Sequence, residues 1–371
     1  MKNVKIILVT FLLFMYTNSV VFAMPPETSG KSSVLMDGGS GRPLYEENSR
    51  EKLPMASTTK IMTAIVALEH CKLDEKVIVA PEASGVEGSS IWLSPEETHT
   101  LEDLLYGLML RSGNDAATAI AIHIGGSVEG FAKLMNQTAR KIGAMDTNFM
   151  NPHGLHEENH YTTAYDLALI TSYGMRNPDF EAIVSTKHHT IPWEGHKWDR
   201  AMRNKNKILW SYEGANGVKT GYTKKAGRCF VGSSKREGLQ LVAVVLNCGP
   251  MFEESVALMD YGFANYKRVT LIEEGQAIQT LPIANGRKKE VQLVTKQDYT
   301  VALRSGETEK IRKKLILPSE LEAPIEKGQW VGSLQIYMED RLMEEIPLVT
   351  QQAVAKRTIW DFFRRVVRFG R

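Results

Sequence analysis

Ser57 and Lys60 stand three residues apart at the head of the apolar run Ile61-Met62-Thr63-Ala64-Ile65-Val66-Ala67-Leu68. On a helix that spacing sets both side chains on one face, a hydroxyl beside an amine that can take its proton. Pro54 lies just upstream, so the helix is expected to begin near Ser57. There the first backbone N–H groups lack internal partners and can stabilise an oxyanion. A nucleophile, a base and an anion-binding end fall within one turn, which is the equipment of acyl transfer. Ser49-Arg50-Glu51-Lys52 repeats the pattern, but it is charged throughout and runs into Leu53-Pro54, where the proline disfavours helix.

Two further segments could complete such a site. The capping-box start Thr100 to Asp103 opens an amphipathic helix that ends at Arg111-Ser112-Gly113-Asn114, and a second apolar helix leaves over 116–124. Ser112 and Asn114 are thereby exposed at a helix junction, where capping the next helix is the bland alternative. Lys219-Thr220-Gly221 lies within the strand-like stretch 216–223, followed by strands over 229–234 and 239–246 and a closing helix over 253–266. A hairpin over 33–46, with Gly38-Gly39-Ser40-Gly41 as its turn, precedes Ser57. Between the hairpin and the last strands the chain is largely helical, including amphipathic helices over 131–142 and 164–174 joined through the turn-rich Asn151-Pro152-His153-Gly154-Leu155. The expected architecture is therefore α/β in the α+β sense: one antiparallel sheet completed by both ends of the domain, with a helical insertion.

The 371 residues allow two domains, and the 43% hydrophobic and 24% charged composition is that of a globular chain. Residues 1–23 read as an export signal: Lys2 and Lys5, an apolar stretch over 6–15, and the small-residue ending Val21-Phe22-Ala23. Cleavage after Ala23 removes two lysines and no acid, taking the formal charge of +2 to neutral. A neutral mature chain argues against nucleic acid as a partner. Three cysteines allow one disulfide at most; Cys229 and Cys248 lie in apolar strand-like runs, where buried unpaired thiols are the commoner state, and Cys71 stands apart. No Cys/His spacing resembles a zinc site, and no metal or cofactor is expected. His153 and His160 read as loop residues.

The catalytic domain is expected over 24–270. Short alternating runs over 290–294, 299–303 and 330–337 place a small β-rich domain over 271–350, with no cluster that suggests chemistry. The tail, 351–371, carries Ile359, Phe362, Phe363, Val366 and Val367 on one helical face and mostly arginines on the other, with Trp360 near the boundary. It reads as a helix lying on a membrane surface, docking against another domain being the alternative.

Ser57-x-x-Lys60, Ser112-Gly113-Asn114 and Lys219-Thr220-Gly221, in this order, resemble the signature set of the penicillin-recognising serine enzymes. Their surroundings, with Asn151-Pro152-His153-Gly154-Leu155, residues 161–167, the β-rich domain and the basic tail, are similar to the low-molecular-weight penicillin-binding proteins that are D-alanyl-D-alanine carboxypeptidases, and within them resemble most the sporulation-associated type of Gram-positive bacteria. The resemblance implies a transpeptidase fold and a peptidoglycan stem ending in D-Ala-D-Ala as substrate. It also implies β-lactams as covalent inhibitors and work outside the cytoplasm. It assigns Ser57 as nucleophile, Lys60 as its base and Ser112 as proton relay. Lys219 and Thr220 would hold the terminal carboxylate, and Asn114 would orient Lys60 and the substrate amide. Gly221 would let substrate lie against the strand, and the N–H groups of Ser57 and Tyr222 would form the oxyanion hole. Tyr222 stands where some family members carry histidine. A β-lactamase is the alternative enzyme, but 151–167 lacks the Glu-x-x-Leu-Asn form that would activate a deacylating water. A sensor using the pocket only to bind muropeptide or β-lactam is the non-enzymatic alternative. Endopeptidase action on crosslinks stays open within the leading class.

Overall fold

The computed structural model describes residues 23–193 and 195–358. The export signal over 1–22 and the tail from Ile359 onward lie outside the described residues.

The chain opens with β1 (Ser32–Asp37) and β2 (Pro43–Glu47), the expected antiparallel hairpin. A 3₁₀ turn over Ala56–Thr59 leads into α1 (Lys60–His70), whose residues through Ala67 are all buried. The short strands β3 (Lys76–Ile78) and β4 (Thr98–Thr100) pair antiparallel. Thr100 and Asp103 form the anticipated capping box of α2 (Leu101–Tyr106), which runs on as a π-helical turn over Gly107–Arg111. The helical layer continues through α3 (Asn114–Gly125), α4 (Val128–Ile142), α5 (Ala164–Gly174) and α6 (Pro178–Ser185). A hairpin absent from the sequence reading, β5 (His188–Ile191) with β6 (Arg200–Arg203), and the single turn α7 (Ile208–Ser211) follow. The module closes with β7 (Ala215–Thr223), β8 (Gly227–Arg236), β9 (Leu239–Leu246) and α8 (Met251–Asn265).

These strands form one five-stranded antiparallel sheet in the order β2-β1-β9-β8-β7, so the first and last parts of the module do complete one sheet. β9 reads Leu-Gln-Leu-Val-Ala-Val-Val-Leu because both its faces are covered. Val242, Val244 and Leu246 pack towards the helical layer, while Leu241, Ala243 and Val245 pack against α8. β7 is left at the sheet edge beside the start of α1, which puts Lys219-Thr220-Gly221 next to Ser57.

The C-terminal part is all β: β10 (Lys267–Ile272), β11 (Ala277–Ala284), β12 (Glu290–Thr295), β13 (Tyr299–Leu303), β14 (Ile311–Ile316), β15 (Leu321–Glu322), β16 (Trp330–Met338) and β17 (Arg341–Thr350). It has a six-stranded sheet, β14-β16-β17-β12-β11-β15, beside the pair β10-β13, around two small cores. The two parts are joined by polar contacts. Arg42 grips Glu307 with two N–H bonds of 2.9 and 2.8 Å, and Asp37 Oδ2 accepts the Ala302 N–H at 2.8 Å. The expected tail helix over 351–371 is corrected at its start: Val354 and Lys356 bridge to Ile325 and Gly286, and the described residues 351–358 contain no helix. Among the described residues no helix is long and apolar enough to cross a membrane.

Candidate active site

The turn carrying Ser57 is built from tight local bonds. Thr58 Oγ1 donates to Met55 O at 2.6 Å and Thr59 Oγ1 to Ala56 O at 2.8 Å. Ala56 sits in the left-handed region, with φ of +48°, which costs an alanine free energy and needs outside support. Gly154 supplies it: a Cβ there would lie 1.9 Å from Ala56 O, so only glycine lets the Asn151–Leu155 loop close on the turn. His160 ties the same turn from the other side. Its Nδ1 accepts the Met150 N–H at 3.0 Å, which leaves Nε2, 2.8 Å from Thr59 Oγ1, as the donor to that hydroxyl. Burial pushes this imidazole down to about 4, so it stays neutral at physiological pH. His160 is thus a loop residue, as expected, but a buried one that ties the nucleophile's turn to the Met150 backbone.

Lys60 is fully buried and its Nζ has three neighbours: Ser57 Oγ at 3.1 Å, Asn114 Oδ1 at 2.7 Å and the backbone oxygen of His153 at 2.7 Å. Burial, then the nearby charges of Lys219 and Lys205, hold this amine well below the ordinary lysine range. A neutral amine has two N–H donors and one lone pair. In that neutral form the two short bonds to Asn114 Oδ1 and His153 O take both donors, and the lone pair is left to face the Ser57 hydroxyl 3.1 Å away. His153 therefore contributes its carbonyl, a group that residue type does not advertise, while burial pushes its ring down to about 3.

Ser112 and Asn114 come from the junction between the π-helical turn and α3. Ser112 adopts the left-handed conformation, φ 66° and ψ 34°, which breaks the helix and turns its side chain into the cleft beside Ser57. Asn114 is fixed through its own N–H to Ser89 O at 2.7 Å and through Nδ2 to Glu87 O. Asp115 accepts the N–H groups of Ile91 and Leu93 and the Ser90 hydroxyl, so the 87–93 segment is laced to the start of α3. Asn114 forms no side-chain cap with the helix it starts; its amide is spent on Lys60 and Glu87.

On β7, Lys219 is buried and donates to Thr220 O at 3.0 Å, while Thr220 is half-buried and Tyr222 is 66% exposed. Burial and then Lys205 push Lys219 down to about 7. A Cβ on Gly221 would lie 3.0 Å from Ser57 N and 3.1 Å from Met55 O, so the missing side chain is what lets the edge strand rest against the nucleophile's turn.

A cleft of about 350 Å³ gathers Ser57, Ser112, Thr220, Gly221 and Tyr222. Lys60 and Asn114 sit beneath them through the bonds already described. Seven of the eight residues singled out in the sequence thus meet in the cleft or beneath it, and the eighth, Lys219, is buried next to Thr220 on β7, where its charge reaches Lys60. A larger crevice of about 700 Å³ between the two parts of the molecule has none of these groups on its wall. The sequence reading missed Lys205, which lines the cleft, bonds Ser89 Oγ at 3.1 Å and lowers both lysines. It also missed Arg228, cross-strand from Tyr222 on the same wall. No motif surrounds either; only a run of basic residues after Gly221 hints at a cationic rim.

Comparison with known proteins agrees with this geometry. Residues 19–249 match the peptidase S11 family model, D-alanyl-D-alanine carboxypeptidase, and residues 266–356 match the C-terminal domain of penicillin-binding protein 5. The D-alanyl-D-alanine carboxypeptidase DacF of Bacillus subtilis is 32% identical over 348 residues, 91% of this chain and 89% of the relative. DacC of Escherichia coli is 32% identical over 91% of this chain and 88% of its own. Penicillin-binding protein 5 of Haemophilus influenzae superposes with a TM-score of 0.76 at 28% identity, covering 90% of this chain and all of that one. The chain belongs to the peptidase S11 family of D-alanyl-D-alanine carboxypeptidases and has the penicillin-binding protein fold with a C-terminal all-β domain.

Proposed function

We propose that the protein is a serine D,D-carboxypeptidase that removes the terminal D-alanine from peptidoglycan stem peptides through an acyl-enzyme, and that penicillins trap it at that stage. The observation that carries this reading is the buried Lys60 amine, held well below the ordinary lysine range by burial and by Lys219, with its Nζ 3.1 Å from Ser57 Oγ.

In this mechanism the terminal carboxylate of the stem enters the cleft and pairs with Lys219, with the Thr220 hydroxyl as a second donor. The carboxylate favours the protonated amine, so binding raises Lys219 from about 7 and restores a full charge. That charge in turn opposes protonation of Lys60 at the moment it must act as a base. Ser57 Oγ attacks the carbonyl of the penultimate D-alanine as its proton passes to Lys60 Nζ. The N–H groups of Ser57 and Tyr222 stabilise the oxyanion, and Ser112 hands the proton on to the departing D-alanine nitrogen. Water then releases the shortened stem, with Lys60 again as base. A β-lactam enters the same sequence through its amide carbonyl, but its leaving nitrogen stays tethered and blocks the water.

Residues 1–23 would direct the chain out of the cytoplasm, and the basic tail would hold it to the membrane surface, where its substrate is. Intact-mass analysis after penicillin treatment, paired with D-alanine release from a pentapeptide, tests the reading. A single adduct and D-alanine release are expected in the parent, with neither in Ser57→Ala. Acylation without D-alanine release would leave a binder or sensor instead.

A further inference from the structure

The far ends of the two helices that hold the active site together carry a second cluster of reactive side chains. Cys71, Glu75 and His123 place a thiol, a carboxylate and an imidazole within 4.8 Å of one another. Cys71 caps α1, its N–H bonded to Ala67 O at 3.0 Å. Glu75 ends the following turn, its N–H bonded to Lys72 O at 3.1 Å. His123 lies in the last turn of α3, with Nε2 2.8 Å from Glu75 Oε1. The cysteine is half-buried and the other two reach solvent.

Three features favour a cation here. The donors differ in kind, one sulfur, one nitrogen and one oxygen, a set that suits zinc and disfavours magnesium or calcium. Both helices end at this spot, so the negative ends of both dipoles face it. The donors are also close to the required spacing. Around a tetrahedral zinc, with bonds of about 2.0–2.3 Å, neighbouring ligand atoms stand roughly 3.5 Å apart, which the exposed rotamers of Glu75 and His123 can reach.

We propose that Cys71, Glu75 and His123 form a zinc site, with water in the fourth position. On binding, the Cys71 thiol gives its proton to solvent as the sulfur bonds the metal, and the Glu75–His123 hydrogen bond is exchanged for two metal bonds. The occupied site ties the end of α1 to the end of α3. The opposite ends of those helices begin at Lys60 and Asn114, which are joined at 2.7 Å. α1 is about 16 Å long, so the metal touches no reacting atom and acts on the stability of that pairing. Linear spacing conceals the site, because His123 lies 48 residues beyond Glu75 and only the fold brings it back.

The test uses the mature protein freed of metal. Zinc is added while thermal unfolding is followed, with magnesium as control, and cobalt(II) is titrated while thiolate-to-cobalt charge-transfer absorption is recorded. One equivalent of metal, a charge-transfer band and a Tm rise of about 3–5 °C at saturating zinc are expected, with no response to magnesium. Cys71→Ser and His123→Ala should lose the zinc response and keep penicillin acylation, which reports their fold. Should either fail to acylate, Glu75→Gln at its exposed position decides alone, by losing the Tm rise. No band and no Tm rise in the parent, or a response that survives in the folded variants, would overturn the proposal.

Discussion

The two parts of the molecule treat lysine in opposite ways. In the β domain every described lysine from Lys267 to Lys356 is exposed, and polar groups serve its strands and its surface. In the catalytic module Lys60 and Lys219 are fully buried, and among the described residues neither has a carboxylate as a hydrogen-bond partner. Burying an amine without a counter-ion costs several kcal/mol if the charge is kept, so the amine gives up its proton instead. The contrast teaches where this fold has accepted instability: at two amines whose value is chemical, in a module whose large core can carry the cost.

The largest expected break in that contrast comes from Ser57→Ala, which removes the group both amines serve. D-alanine release should fall by roughly 10⁴-fold or more with the fold intact, as measured by turnover and circular dichroism. Lys219→Met should come next. It removes a buried amine and the carboxylate's partner together, so kcat/KM should fall by about 10²–10³-fold while Tm does not fall. A large drop in Tm would show that Lys219 holds structure and would undo the contrast. The pH dependence sharpens the same point. Because free Lys219 is held down at about 7, KM should rise as pH climbs above that value, which steady-state assays across pH 6–9 would show as a loss of affinity at the alkaline end. The sign for stability is the reverse. A lysine held below its unfolded value penalises the fold at low pH, and that penalty lifts as pH rises from about 7 towards the unfolded value near 10.4.

Gly221→Ala should have a smaller structural effect. Its Cβ would press to 3.0 Å on Ser57 N, forcing β7 outward by a few tenths of an ångström. A stability loss of about 1–2 kcal/mol and a fall of roughly 10²-fold in acylation are expected, from denaturant titration and β-lactam kinetics. Smallest of all in its effect on the chemistry should be Arg42→Ala, which cuts the link to Glu307 and Ala302 between the two parts. It should lower stability by about 1–3 kcal/mol and leave the penicillin acylation rate unchanged, since nothing in the β domain lines the cleft.

Much of this was legible before the structure. α5 and β9 fall at the residues expected, 164–174 and 239–246, because their periodicity and apolar content leave one solution. The three motifs announced the cleft because hydroxyls and amines at fixed spacing carry their chemistry in their residue types. What escaped was contributed by backbone or by single side chains brought from a distance. The His153 carbonyl that fixes Lys60 has no residue-type signature. Lys205 is one basic residue between two asparagines, and His160 acts through a hydrogen-bond chain that the fold assembles. The β5–β6 hairpin was missed because His188–Ile191 and Arg200–Arg203 are short, polar and without the alternation that marks a strand.

The central claim is that Lys60 is neutral and takes the Ser57 proton, and the pH profile of penicillin acylation tests it most directly. With Ser57→Ala as the blank, the acylation rate should rise with an apparent pKa well below 10.5 and level off before the ordinary lysine range. A rate that climbs only as pH approaches about 10.4 would mean that the amine keeps its proton and that another group must serve as base.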